Sequence, residues 1–110
     1  MSEDEFRTLC LSFPGCEEGF NMGSVVFKAN GKVLARLLGG GEAMLTGIGP
    51  DEIDLMVEAE PAVFHASQHF RDAMCVAVRL GATNPGALKP LLDRRFREIA
   101  RKSVLKAWDA

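Results

Sequence analysis

The dipeptide Asn30-Gly31 constrains this chain more than any other feature, because it separates two apolar segments. Residues 25–29 read Val-Val-Phe-Lys-Ala, and residues 32–38 read Lys-Val-Leu-Ala-Arg-Leu-Leu. A type I′ turn needs positive φ at both central residues, and Asn-Gly adopts it readily. Two antiparallel strands joined by a tight turn are therefore predicted. Alternation along the second strand puts Val33, Ala35 and Leu37 on one face and Lys32, Leu34, Arg36 and Leu38 on the other.

Helical patterns flank this hairpin on both sides. Ser2 and Glu5 have the spacing of a capping box, and a helical apolar stripe follows until Pro14-Gly15. Pro50 opens a second helix, and Asn84-Pro85 opens a third. Pro90 indicates either a later start or a distorted first turn of the third helix. The predicted buried positions on the three helices are Phe6, Leu9, Cys10, Phe13, Ile53, Met56, Val57, Leu88, Leu91, Leu92, Phe96 and Ile99.

Further strands are predicted at residues 16–23, 42–46 and 75–80, where apolar and β-branched residues predominate. Residues 62–74 show no clear pattern, and the last eight residues are expected to form an exposed tail in which Val104, Leu105 or Trp108 docks back. Strands grouped in hairpins between helices favour an α+β fold, with an antiparallel sheet and helices on one face. A length of 110 residues suits one domain, 1–110.

Composition narrows the class of protein. The apolar fraction of 47% and the charged fraction of 25% are those of a globular chain. No apolar run is long enough to cross a bilayer, and the acidic start does not read as a secretory signal, so a cytoplasmic protein without membrane contact is expected. Cys10, Cys16 and Cys75 form no paired motif, so reduced thiols are expected, and Cys10 reads as a buried structural thiol.

The charge is unevenly distributed along the chain. Residues 1–60 hold eleven acids and four bases, whereas residues 89–110 hold seven bases and three acids, a net charge of +4. Arg94, Arg97 and Arg101 have the spacing of one stripe on the last helix, and Lys102 adjoins it. Such a stripe can contact phosphates, but it is more often a solvated helix face whose cations suit a helix C-terminus.

Other candidate sites have weaker support. Gly39-Gly40-Gly41 lacks the Gly-Lys-Ser/Thr ending of a phosphate-binding loop and reads as a hairpin connection. His65 and His69 are four residues apart but have too few neighbouring ligands for zinc. No nucleophile motif is present, so no catalytic residue, metal or cofactor is predicted. A secondary surface patch is predicted at Lys32, Arg36 and His69.

The order of these segments resembles the MmcQ/YjbR-like family. The resemblance covers nearly the whole chain, and it rests on residues 6–15 followed by Glu17-Glu18, on Phe27-Lys28, on Gly31-Lys32-Val33, on Pro50-Asp51-Glu52, on residues 64–79 with His69, and on the closing helix. It implies a compact α+β fold of the frataxin-like or double-wing type. Because members are often labelled DNA-binding, it also implies contact with DNA.

The sequence thus predicts a non-enzymatic binding module that binds DNA weakly through the basic C-terminal helix. The alternative is a protein-interaction or small-ligand adaptor that does not bind nucleic acid. That alternative is motivated by the mixture of Phe64, His65, His69 and Phe70 in a segment without a clear element.

Overall fold

The computed structural model describes residues 1–110. Five helices and six strands make up the chain. In order they are α1 (Glu3–Leu11), β1 (Cys16–Asn21), β2 (Ser24–Ala29), β3 (Lys32–Gly39), β4 (Glu42–Thr46), α2 (Pro50–Ala59), β5 (Phe64–His65), α3 (Gln68–Asp72), β6 (Cys75–Arg79), a 3₁₀ turn (Leu80–Ala82), α4 (Pro85–Ile99) and α5 (Lys102–Trp108).

The strands form one antiparallel sheet in the order β1-β2-β3-β4-β6-β5. The predicted hairpin between β2 and β3 is confirmed, with φ of 55° at Asn30 and 74° at Gly31. The three glycines at 39–41 all have positive φ and connect β3 to β4, as predicted. The α+β class and the antiparallel sheet are therefore confirmed.

The predicted alternation on β3 is wrong at Leu34. Phe27 lies opposite Ala35, but Lys28 lies opposite Val33, so Leu34 is an extra residue in the ladder. This β-bulge lets Leu34 and Ala35 both turn into the core, where each is fully buried. Simple alternation predicted that Leu34 shares a surface with Lys32 and Arg36. In the structure Leu34 lies in the core instead.

The core lies between the sheet and the helices. It contains 21 buried residues, and α1 and α4 both pack on β3 and on each other. Phe6, Cys10 and Phe96 are fully buried, so the predicted apolar faces of α1 and α4 and the structural role of the Cys10 thiol are confirmed. The capping box of Ser2 and Glu5 is also present.

Three segments differ from, or add to, the sequence-based predictions. Helix α4 runs without interruption through Pro90, so a later start is wrong. Residues 62–74, which had no predicted element, hold β5 and α3. The C-terminal residues form helix α5 rather than a tail, and the Trp108 ring packs 5.0 Å from that of Phe96 and 5.6 Å from that of Phe13. None of the helices combines the length and apolar character required to cross a membrane.

Candidate nucleic-acid interface

The predicted arginine stripe is divided by a bend in the chain. Helix α4 ends at Ile99, and Ala100 and Arg101 are both extended, with ψ of 153° and 145°. Arg101 is the N-cap of α5, and Lys102 is the first residue of that helix. The prediction that Arg101 shares one helical stripe with Arg94 and Arg97 is therefore wrong. We call residues 100 and 101 the hinge.

The two arginines on α4 are paired with carboxylates. Arg94 lies 2.9 Å from Glu52 of α2. Arg97 lies 3.0 Å from Asp93 and 2.9 Å from Asp109, and its guanidinium stands over the Trp108 ring. The hydrogen bonds that Arg97 donates to Asp109 and Asp93 raise the pKa of Arg97, and those donated to Asp109 lower the pKa of Asp109. Much of the positive charge on α4 is thus neutralised within the protein.

Arg95 is also hydrogen-bonded within the protein. Its Nε atom donates to the Val33 carbonyl at 3.2 Å and to Thr46 Oγ1 at 3.1 Å. Arg95 therefore ties α4 to the bulged region of β3 rather than extending the predicted stripe into solvent.

Arg101 makes a different kind of contact. Its Nε atom donates to Asn30 Oδ1 at 2.9 Å, and Asn30 Nδ2 donates to the Ile99 carbonyl at 3.1 Å. The asparagine that makes the β2–β3 turn therefore also holds the turn against the hinge. Because Asn30 is neutral, the charge of Arg101 is positioned but not cancelled.

A cleft of about 540 Å³ lies where the α1–β1 turn, the β2–β3 hairpin and the hinge meet. We call it the hairpin–hinge cleft. Its lining residues are Pro14, Gly15, Glu17, Lys28, Ala29, Asn30, Gly31, Ala100, Arg101 and Val104.

Positive charge dominates this cleft. Lys28, Arg101 and the acid Glu17 line it. Lys32, Lys102 and the acid Glu18 each adjoin a lining residue in the chain, and Glu18 is paired with Arg7. Lys28 is half-buried, and the other three cations are exposed. The ion pairs of the protein include none of the four. The four cations can therefore meet an external anion, although Lys28 lies directly opposite Glu17 in the β1–β2 ladder.

The predicted secondary patch does not form. Lys32 lies at the hairpin end of β3, whereas Arg36 reaches the opposite end of β2 and donates to Asn21 and to Ser24 Oγ. His69 belongs to α3, which packs on β6. Of the three, only Lys32 belongs to the cationic surface around the cleft.

The sequence did not predict a site role for Lys28, nor the cluster of Glu42, His65 and Arg79. Lys28 was assigned only to a strand, although its position two residues before Asn30-Gly31 places it at the hairpin end. Glu42, His65 and Arg79 come together on the sheet near the β3–β4 turn, where they line a second cleft. No local pattern links those three, because they belong to β4, β5 and β6.

The thiols have reduced reactivity. Burial raises the pKa of Cys16 to about 11, with a smaller contribution from the Glu17 carboxylate, and burial also raises the pKa values of Cys10 and Cys75. All three cysteines are free. At neutral pH they are protonated and poor nucleophiles.

The fold defines a small α+β domain with a six-stranded antiparallel sheet. A similar fold occurs in the crystal structure of the Deinococcus radiodurans protein DR2400, which is described as a DUF419 domain. The two chains are 20% identical, the TM-score is 0.73, and the match covers 93% of this chain and 80% of the other. At that identity the similarity concerns the fold alone. No protein-family model matches the sequence, and no curated protein matches it.

Proposed function

We propose that this protein is a non-enzymatic binding module of the MmcQ/YjbR-like type that contacts DNA phosphates from the hairpin–hinge cleft. The observation that carries the proposal is the set of four cations, Lys28, Lys32, Arg101 and Lys102, which lie in or beside one cleft and form no ion pair within the protein. Arg94 and Arg97, which the sequence placed in the same interface, serve instead to hold α4 to its neighbours.

Free cations matter because phosphate binding is driven largely by the release of counterions. Each neutralised phosphate contributes about 0.9 to the slope of log affinity against log salt concentration. A cation already paired with a carboxylate contributes less, because its own ion pair must break first. Four free cations therefore predict a slope of about −3.6.

The rest of the protein restricts this binding to one surface. The net charge is −2, so the surface as a whole does not attract DNA, and the proposal places the contact at the local concentration of cations around the hairpin–hinge cleft. The affinity expected is that of non-specific contact, roughly 1 to 100 μM at physiological salt. No base-reading side chain is assigned, so little sequence preference is expected.

The experiment is a fluorescence-anisotropy titration of a short labelled DNA duplex at two salt concentrations. Binding is expected near 50 mM salt, and it should weaken roughly 100-fold near 200 mM salt if four phosphates are contacted. An absence of any anisotropy change at about 100 μM protein in low salt would refute the proposal, since non-specific binders saturate in that range.

A second candidate function, a protein-interaction module, has one specific observation in its favour. Phe20 and Met22 at the β1–β2 turn are 73% and 90% exposed, and neither packs on the core. Exposed apolar side chains at a turn suit contact with another protein. If a partner binds there, the double variant Phe20→Ser/Met22→Ser loses it while DNA binding persists, and an unchanged set of co-purified proteins would dismiss this candidate.

A further inference from the structure

The second cleft, near the β3–β4 turn, has about 500 Å³ of space and is lined by Gly40, Gly41, Glu42, His65, Arg79 and Gly81. We call it the β3–β4 cleft. No apolar side chain lines it, and a Cβ atom at any of its three glycines would meet nothing within 4 Å. The cleft therefore offers open space beside three polar, ionisable side chains, those of Glu42, His65 and Arg79.

The pair of Glu42 and His65 is built by the strand order. His65 on β5 lies opposite Ala77 on the neighbouring strand β6, and Glu42 lies on β4, one strand further. Glu42 lies opposite Arg79 and Ala77 lies opposite Met44, so the His65 imidazole reaches Glu42 diagonally across the ladder.

The contact between His65 and Glu42 determines which of their atoms remain available to a ligand. The contact joins Nε2 of His65 and Oε1 of Glu42. A carboxylate oxygen accepts hydrogen bonds, so the contact fits the imidazole tautomer with its proton on Nε2. In the neutral ring, Nδ1 then keeps its lone pair as an acceptor. Nδ1 of His65 and Oε2 of Glu42 have no partner within the protein.

Arg79 supplies the opposite charge. It lies directly across from Glu42 in the β4–β6 ladder, and directly opposed residues have Cβ atoms about 5 Å apart. Nη1 of Arg79 donates to the Pro61 carbonyl at 3.1 Å, which leaves Nε and Nη2 free. A guanidinium presents such donors to a ligand carboxylate as a fork.

The charges in and around this cleft are mixed. Besides Glu42, the Glu3 carboxylate accepts a hydrogen bond from the Gly41 N–H at 3.0 Å. A ligand with only negative charge would be repelled by both carboxylates, and a ligand with only positive charge would be repelled by Arg79. The arrangement favours a ligand that carries both charges a few ångströms apart.

We propose that the β3–β4 cleft binds a small zwitterion of the α-amino acid class. The ligand carboxylate binds to Arg79, and the ligand ammonium donates to Oε2 of Glu42 and Nδ1 of His65. This site is independent of the DNA interface, because the two clefts lie at opposite ends of the eight-residue strand β3.

The probes for this site are glycine and its two halves, acetate and methylammonium, each titrated into the protein while the His65 and Gly41 signals are followed by NMR. Glycine should bind in the millimolar range, at least about 10-fold more tightly than either half. Arg79→Gln and Glu42→Gln should each weaken glycine binding by about 10-fold or more. Arg36→Gln, an arginine on the same sheet but outside the cleft, is the matched control and should leave glycine binding unchanged.

Three outcomes would overturn the proposal: no glycine-dependent shift at about 100 mM, equal binding of acetate and glycine, or an Arg79→Gln variant that binds glycine like the wild type. Because DNA is not a component of the assay, these outcomes leave the proposed DNA contact untouched.

Discussion

Two sets of cations within the same C-terminal segment differ in whether they are paired with carboxylates. Arg94 and Arg97 on α4 face Glu52, Asp93 and Asp109, which neutralise them. Arg101 in the hinge contacts the neutral side chain of Asn30, and Lys102 at the start of α5 is exposed to solvent. The segment has a formal charge of +4, but the charge available to a ligand is decided by the side chains opposite each cation.

The difference originates in the bend at the hinge. Had α4 continued through residue 101, Arg101 would point along the same helical face as Arg94 and Arg97. The bend instead turns Arg101 toward the β2–β3 hairpin, where Lys28 already lies. A short interruption of a helix thereby separates the paired arginines of α4 from the cations to which we assign the proposed DNA contact.

The largest expected effect comes from removing the free set altogether. The variant Lys28→Gln/Lys32→Gln/Arg101→Gln/Lys102→Gln should bind duplex DNA at least about 100-fold more weakly near 50 mM salt, because four counterion-releasing contacts are lost. Anisotropy measures the affinity, and an unchanged circular dichroism spectrum verifies that the fold is retained. A loss of less than threefold would show that these cations are not the interface.

The next effect concerns the packing of Trp108, which anchors α5 and the adjoining hinge to the core. Trp108→Ala removes aromatic contacts with Phe13 and Phe96, and it should lower the free energy of unfolding by about 2 kcal/mol in urea. Phe20→Ala, an aromatic residue that is 73% exposed, is the control and should change stability by less than about 0.5 kcal/mol. Equal effects of the two substitutions would mean that α5 is not anchored through Trp108.

A smaller effect is expected when one paired and one free arginine are compared by their contributions to stability. Arg97→Gln loses its bonds to Asp93 and Asp109 and its position over Trp108, so the urea midpoint should fall slightly. Arg101→Gln loses one exposed hydrogen bond to Asn30, and its midpoint should fall less. The reverse order of midpoints would contradict the division between paired and free cations.

The smallest effect concerns the acid in the cleft. Glu17→Gln should raise DNA affinity about twofold to threefold, because it removes the one carboxylate that lines the hairpin–hinge cleft. The same change should lower the pKa of Cys16 from about 11, although burial keeps that pKa above 9.0. Alkylation of Cys16 near pH 8 should then be faster in the variant, because the thiolate fraction rises as the pKa falls. An unchanged alkylation profile together with unchanged affinity would show that Glu17 does not act on the cleft.

Local chemistry explains which parts of the fold could be predicted. The Asn30-Gly31 turn, the capping box at Ser2 and the apolar face of α4 each depend on a few neighbouring residues, and all three are confirmed. The bulge at Leu34 depends on how β2 and β3 fit against the core, so alternation alone could not locate it. The hinge contains neither Gly nor Pro, so no local signal marks it, and the contacts around it join residues distant in sequence, such as Asn30 with Ile99 and Arg101.

The candidate sites were less predictable than the fold for the same reason. The basic character of the C-terminal segment was visible in the sequence, but the pairing of Arg94 with Glu52 joins residues 42 positions apart. The contact of His65 with Glu42 depends on β6 lying between β4 and β5. Strand order is set by the whole core, so neither pairing could be read from residue spacing.

The most direct test of the central claim compares two double variants that remove the same amount of charge. Lys28→Gln/Arg101→Gln removes two free cations, and Arg94→Gln/Arg97→Gln removes two paired ones. Their duplex DNA affinities should be measured across a series of salt concentrations. We expect the first variant to bind at least about 10-fold more weakly near 50 mM salt, with the salt slope reduced by about 1.8, and the second to bind within about threefold of the wild type. Equal losses in the two variants, or a larger loss in the second, would contradict the account.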